Sequence, residues 1–149
     1  MDVQKIVQSL LPIIINVIGG VMKSGGSGFW GKLREGGALA TALSGAADQF
    51  KGNNLMEGLL GALTGDEGKN LLSNLDLEKL DLGNVMNMVG GLDNVLGDAG
   101  DEAEPVKGFI FDVAEKMAGA AGSGVFGTGQ KINAGEQSFL DDLKKQLGL

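Results

Sequence analysis

Polar and apolar positions alternate at helical spacing from the first residues of this chain. In residues 2–23, DVQKIVQSLLPIIINVIGGVMK, apolar side chains fall at Val3, Ile6, Val7, Leu10, Leu11, Ile14, Val17, Ile18 and Val21, a period of about 3.6. Gln4, Lys5, Gln8, Ser9, Pro12, Asn16 and Gly20 are assigned to the opposite face. Asp2 and Lys23 suit the two ends of the helix dipole, and Pro12, which lacks a backbone donor, predicts a kink.

Shorter helical patterns follow. Residues 35–50 are rich in small side chains, with Ala38, Ala42 and Gly45 at close-packing intervals. Residues 53–63 place Leu55, Leu59 and Leu63 on one face, with Asn53 or Asn54 as N-cap. Residues 66–80 read as one or two short helices broken near Asp76, with Leu71, Leu72, Leu75, Leu77 and Leu80 directed to the core. Val85, Met88, Val89, Leu92 and Leu96 share a face in 83–96, with Gly90–Gly91 as a weak point. Pro105 opens a helix over 105–121 whose apolar face holds Phe109, Ile110, Val113, Ala114 and Met117. The last helix covers about 134–147, with Phe139, Leu140, Leu143 and Leu147 inward, Lys144 and Lys145 in its last turn and Gly148 just beyond.

No period-two alternation persists. The expected fold is all-α: a compact bundle of about six to seven short helices around the apolar N-terminal helix, with two Gly-rich loops at 24–32 and 122–131. One domain, 1–149, accounts for the length. The acidic, small-residue segment 97–104 is where it would subdivide.

The opening helix has a second reading. Its apolar stretch from Ile6 to Met22 is near the shortest length that spans a bilayer. Gln8, Ser9, Pro12 and Asn16 make it too polar for an easy span, and neither a basic start nor an A-x-A site supports a signal peptide. A core helix is the expectation, carried by Ile6, Leu10, Ile14, Val17 and Val21, with contact at a membrane surface as the alternative for the same residues.

Composition narrows the chemistry. The chain has no His, Cys or Tyr. Imidazole- and thiolate-based catalysis, zinc fingers, iron–sulfur clusters and disulfides are thereby excluded. A net charge of −7 argues against nucleic-acid partners. That charge is uneven: residues 1–34 carry Lys5, Lys23, Lys32 and Arg34 against Asp2, so a slightly basic head precedes an acidic body. Glycine supplies 27 of 149 residues, against a usual share of about 7%. It disfavours helix interiors, which places many of these residues in loops, at helix ends or where backbones approach.

Several motifs come close to known chemistry without reaching it. Gly26, Gly31 and Lys32 have P-loop spacing, but Leu33 stands where Ser or Thr would hold magnesium, and a helix precedes the motif instead of a strand. The two G-x-G-x-x-G matches, at Gly26, Gly28, Gly31 and at Gly122, Gly124, Gly127, also follow helices. Asp98, Asp101, Glu102 and Glu104, with Asp93 nearby, lack the EF-hand order and read as a solvated linker. Asp66–Glu67 and Asp141–Asp142 have no feature of a general acid/base pair. Ser27 and Ser123 would need a base other than His. No catalytic, cofactor-binding or metal residues are assigned.

The two loops are more informative when compared with each other. GGSGFWGK and AGSGVFGTGQK share Gly-Ser-Gly, an aromatic step, Gly and Lys, and each follows a Met-bearing helix. One reading makes Trp30 and Phe126 plugs folded back onto the core. The other makes Phe29, Trp30, Val125 and Phe126 a partner-binding patch, since aromatics on loops serve recognition.

The C-terminal stretch VAEKMAGAAGSGVFGTGQKINAGEQSFLDDLKKQLGL combines an alanine-bearing helix, a Gly-rich turn and an ending built on Ile132, Glu136, Phe139, Leu140, Leu143, Leu147, Gly148 and Leu149. It resembles the TerB-like family of tellurite-resistance and stress proteins over about a quarter of the chain. The resemblance implies an all-helical fold and a stress-related setting. Ala121–Gly122 stand where that family has an acidic Asp-Gly turn, which removes its best metal-ligand candidate, while Glu136 matches the acidic position after the turn.

The expected function is a non-catalytic helical interaction or scaffold protein. It would bind a protein partner or self-associate through small-residue helix faces and the aromatic Gly-rich loops. The location expected is cytoplasmic, with membrane association under the alternative.

Overall fold

The computed structural model describes residues 3–25, 54–76, 78–97, 100–123 and 134–149. Every regular element among them is helical. In chain order these are α1 (Val3–Gly25), α2 (Asn54–Thr64), α3 (Asp66–Asn74), α4 (Leu82–Gly90), α5 (Leu92–Val95), a 3₁₀ turn (Gly100–Glu102), α6 (Ala103–Ser123) and α7 (Ala134–Leu147). The small-residue helix expected at 35–50 lies outside the described residues.

α1 is the axis, and each of the other six α-helices packs against it. Its character changes at Pro12. Before the proline it is amphipathic, with Gln4, Lys5, Gln8 and Ser9 exposed and Ile6, Val7, Leu10 and Leu11 buried. Beyond it, Ile13, Ile14, Ile15, Val17, Ile18, Val21 and Met22 are all buried and between them only Asn16 keeps partial exposure, so this half of the helix is almost wholly enclosed. A helix apolar all round belongs in a core or a bilayer. The helix is continuous through Pro12, which lacks a backbone donor and lies on the exposed face beside Gln8.

One sequence expectation is reversed here. Gly20 does not face water. A Cβ built on it would lie 2.5 Å from Phe139 Cζ of α7, and one on Gly19 would lie 2.5 Å from Leu75 Cδ2. The glycine pair is a notch that lets the Phe139 ring and Leu75 reach the α1 backbone. Spacing alone put Gly20 opposite the apolar stripe, but a helix surrounded by neighbours has no outer face there.

Other boundaries follow local chemistry. α3 ends at Asn74, two residues before the expected break at Asp76, whose carboxylate accepts from the Glu78 N–H at 3.0 Å and shapes a turn. Asp81 caps α4 by accepting from the Gly83 N–H at 2.8 Å. The weak point at Gly90–Gly91 is real: α4 stops there, and the short α5 begins at Leu92. α6 starts at Ala103 and continues to Ser123, longer than the expected 105–121, with Pro105 still in its first turn. The linker reading of 97–104 is corrected accordingly, since 100–104 are helical. α7 ends in a Schellman motif, with Gly148 at φ +74°, its N–H on Lys145 O and the Leu149 N–H on Lys144 O, both at 3.1 Å.

Two glycine substitutions separate packing from propensity. Gly61 is inside α2, and a Cβ there would meet nothing within 4 Å. Gly61→Ala should raise unfolding free energy by about 0.5–1 kcal/mol. Gly20→Ala should lower it by about 1–3 kcal/mol through overpacking, and Phe139→Leu in the same chain should recover part of that loss. Urea unfolding of the four proteins checks both.

Candidate functional site

The sequence nominated two groups of residues, and the structure treats them differently. The core-helix group, Ile6, Leu10, Ile14, Val17 and Val21, is buried to between 0% and 7% exposure. Its neighbours are apolar side chains from the surrounding helices, among them Leu55, Met56 and Leu59 of α2, Val106, Phe109 and Ile110 of α6, and Leu140 and Leu143 of α7. As folded, this stripe presents nothing to a partner. The aromatic group, Phe29, Trp30, Val125 and Phe126, lies outside the described residues, together with Gly26, Ser27, Gly31 and Lys32 of the P-loop-like run.

What the structure does give is the anchorage of both aromatic segments. The first leaves from the end of α1 at Gly25. The second leaves from the end of α6 at Ser123 and re-enters at Ala134. Phe139 sits five residues into α7 and seats on Gly20, five residues before the end of α1. At about 1.5 Å of rise per residue and about 10 Å between packed axes, Gly25 and Ala134 are within about 25 Å of each other.

The described surface itself is poor in apolar contacts. Among the described residues, Leu149 is the one large hydrophobic side chain with substantial exposure, at 45%. The glycines that could have formed a small-residue docking face on α1 are used internally, Gly19 against Leu75 and Gly20 against Phe139.

The acidic residues serve as fasteners. Glu102, in the 3₁₀ turn, accepts from the Asn54 N–H at 3.2 Å and so ties the start of α6 to the start of α2. Asp93 pairs with Lys107 at 2.6 Å across the α5–α6 junction, its own side chain 79% exposed. Lys23 donates to the Leu80 carbonyl and pins the end of α1 to the chain entering α4. No three acidic side chains among the described residues converge as a metal site requires. Ala121 and Gly122, which replace the acidic turn of the TerB-like pattern, are part of the α6 helix.

Sequence reasoning missed several of these features. Ile13 and Ile15 were left off the apolar face, although a run of three isoleucines was a signal that the helix is apolar on more than one side. The Gly20–Phe139 notch had no local signal, because the two residues are far apart in the chain. The Glu102–Asn54 tie had only the weak one that an N-terminal amide of a helix needs an acceptor.

No protein-family model, curated protein or solved structure matches this chain.

The fasteners and the core should differ in weight. Asp93→Asn and Glu102→Gln should each lower stability by under about 1 kcal/mol, because both are near-surface contacts. Leu10→Ala, in the enclosed part of the core, should cost about 2–5 kcal/mol. Guanidinium unfolding followed by circular dichroism measures all three.

Proposed function

We propose that the protein is a non-catalytic interaction module. Its helical bundle is the scaffold, and Phe29–Trp30 and Val125–Phe126 are the contact residues for a protein partner or a second copy of the chain. The observation that carries this reading is the contrast between a described surface on which Leu149 is the one large hydrophobic with substantial exposure and two aromatic, glycine-rich segments attached to the packed bundle. Recognition energy in protein interfaces concentrates in buried aromatic anchors. The absence of His and Cys supports a binding role over catalysis. The TerB-like resemblance adds a stress-related setting to the proposal.

Trp30 is the single tryptophan and the chain has no tyrosine, so intrinsic fluorescence reports Trp30 alone. A complex in which Trp30 becomes buried should shift its emission to the blue. A photoreactive phenylalanine analogue placed at position 126 should cross-link to another polypeptide, either this chain or a different one. Trp30→Ala combined with Phe126→Ala should weaken the association at least tenfold while leaving the circular dichroism spectrum intact. An association that survives both substitutions unchanged removes the reading.

A further inference from the structure

We propose that α1 is a latent membrane helix, sheathed by the rest of the chain in water and able to exchange that sheath for a lipid bilayer. This inference is independent of the aromatic segments and rests on α1 itself. Among the described residues it is the one helix long and apolar enough to cross a membrane. Its two charged side chains, Lys5 and Lys23, are at its two ends with seventeen uncharged residues between them. At about 1.5 Å per residue they stand about 27 Å apart, close to the roughly 30 Å of a bilayer's hydrocarbon core. Lysines at such positions reach the headgroups while their stems stay in the apolar layer.

Two polar side chains inside α1 bond to α1 itself. Ser9 Oγ donates to the Lys5 carbonyl at 3.1 Å, and Asn16 Nδ2 donates to the Pro12 carbonyl at 2.6 Å. Both bonds close within one turn of the same helix. A helix that satisfies these groups internally does not forfeit the bonds on leaving its neighbours, which is what lipid demands of any polar group it surrounds. From Ile13 to Met22 the side chains are apolar on every side apart from Asn16 and the two glycines, as a lipid-facing helix would be. The helices that cover it run from four residues in α5, nine each in α3 and α4 and eleven in α2 to fourteen in α7 and twenty-one in α6. The shorter of these are marginal without α1 to pack on.

The test uses the full chain and vesicles of phosphatidylcholine and phosphatidylglycerol. The protein has no cysteine, so Pro12→Cys accepts a single environment-sensitive dye. Pro12 is exposed in the bundle and close to the middle of α1. Insertion should shift the dye emission strongly to the blue on adding vesicles. In a second variant, Val7→Cys with Gly58→Cys, a Cβ at 58 lies 3.4 Å from Val7 Cγ2, within reach of a disulfide between α1 and α2. The oxidised form should lose carbonate-resistant flotation with the vesicles, and dithiothreitol should restore it. An unchanged dye spectrum overturns the proposal and leaves α1 as the fixed core of a bundle. So does equal flotation of the oxidised and reduced forms, which would assign lipid contact to another part of the chain.

Discussion

Keeping water from a helix that is apolar on every side requires neighbours all around it, and that requirement organises the described chain. From Ile13 to Met22 α1 offers almost nothing to solvent, so single-sided packing would leave half of its apolar surface wet. Fully burying each Leu, Ile or Val side chain is worth about 1.5–3 kcal/mol, and α1 alone contributes eleven buried large hydrophobic residues. The Asp93–Lys107 pair and the Glu102–Asn54 hydrogen bond lie near the surface, where each adds about 1 kcal/mol or less. Burial holds the bundle together, and the polar ties choose where the helix ends meet.

Small residues make the enclosure possible. With six helices crowding one, some must approach closely, and the Gly19–Gly20 pair gives Leu75 and Phe139 direct access to the α1 backbone. Gly68 does similar service at the corner between α2 and α3, where a side chain would collide with the Leu63 carbonyl. Part of the high glycine content is therefore a packing device. It is also the reason these glycines are unavailable for contacts with another molecule.

Much of the architecture was legible in the sequence because its physics is local. Apolar spacing marks α1, α2, α4 and α7. Gly91 and Gly148 mark ends through turn chemistry that acts within a few residues. The errors fall where the deciding partner is remote. Gly20 was assigned to the polar side because nothing near it in sequence announces Phe139. Residues 100–104 looked like a free acidic linker because Asn54, whose amide Glu102 accepts, is 48 positions away. The proposed contact residues were the least legible, since Phe29, Trp30, Val125 and Phe126 carry no pattern that distinguishes a plug from a docking anchor.

The order of elements along the chain has a consequence for biosynthesis. α1 precedes every helix that covers it, and the ring that closes over Gly20 belongs to the final one. At translation rates of about 5–20 residues per second, the greasiest segment waits several seconds or more for its last neighbour. During that interval it is a ready target for chaperones or for the machinery that recognises nascent hydrophobic helices, and the outcome of that competition would be decided before the bundle exists.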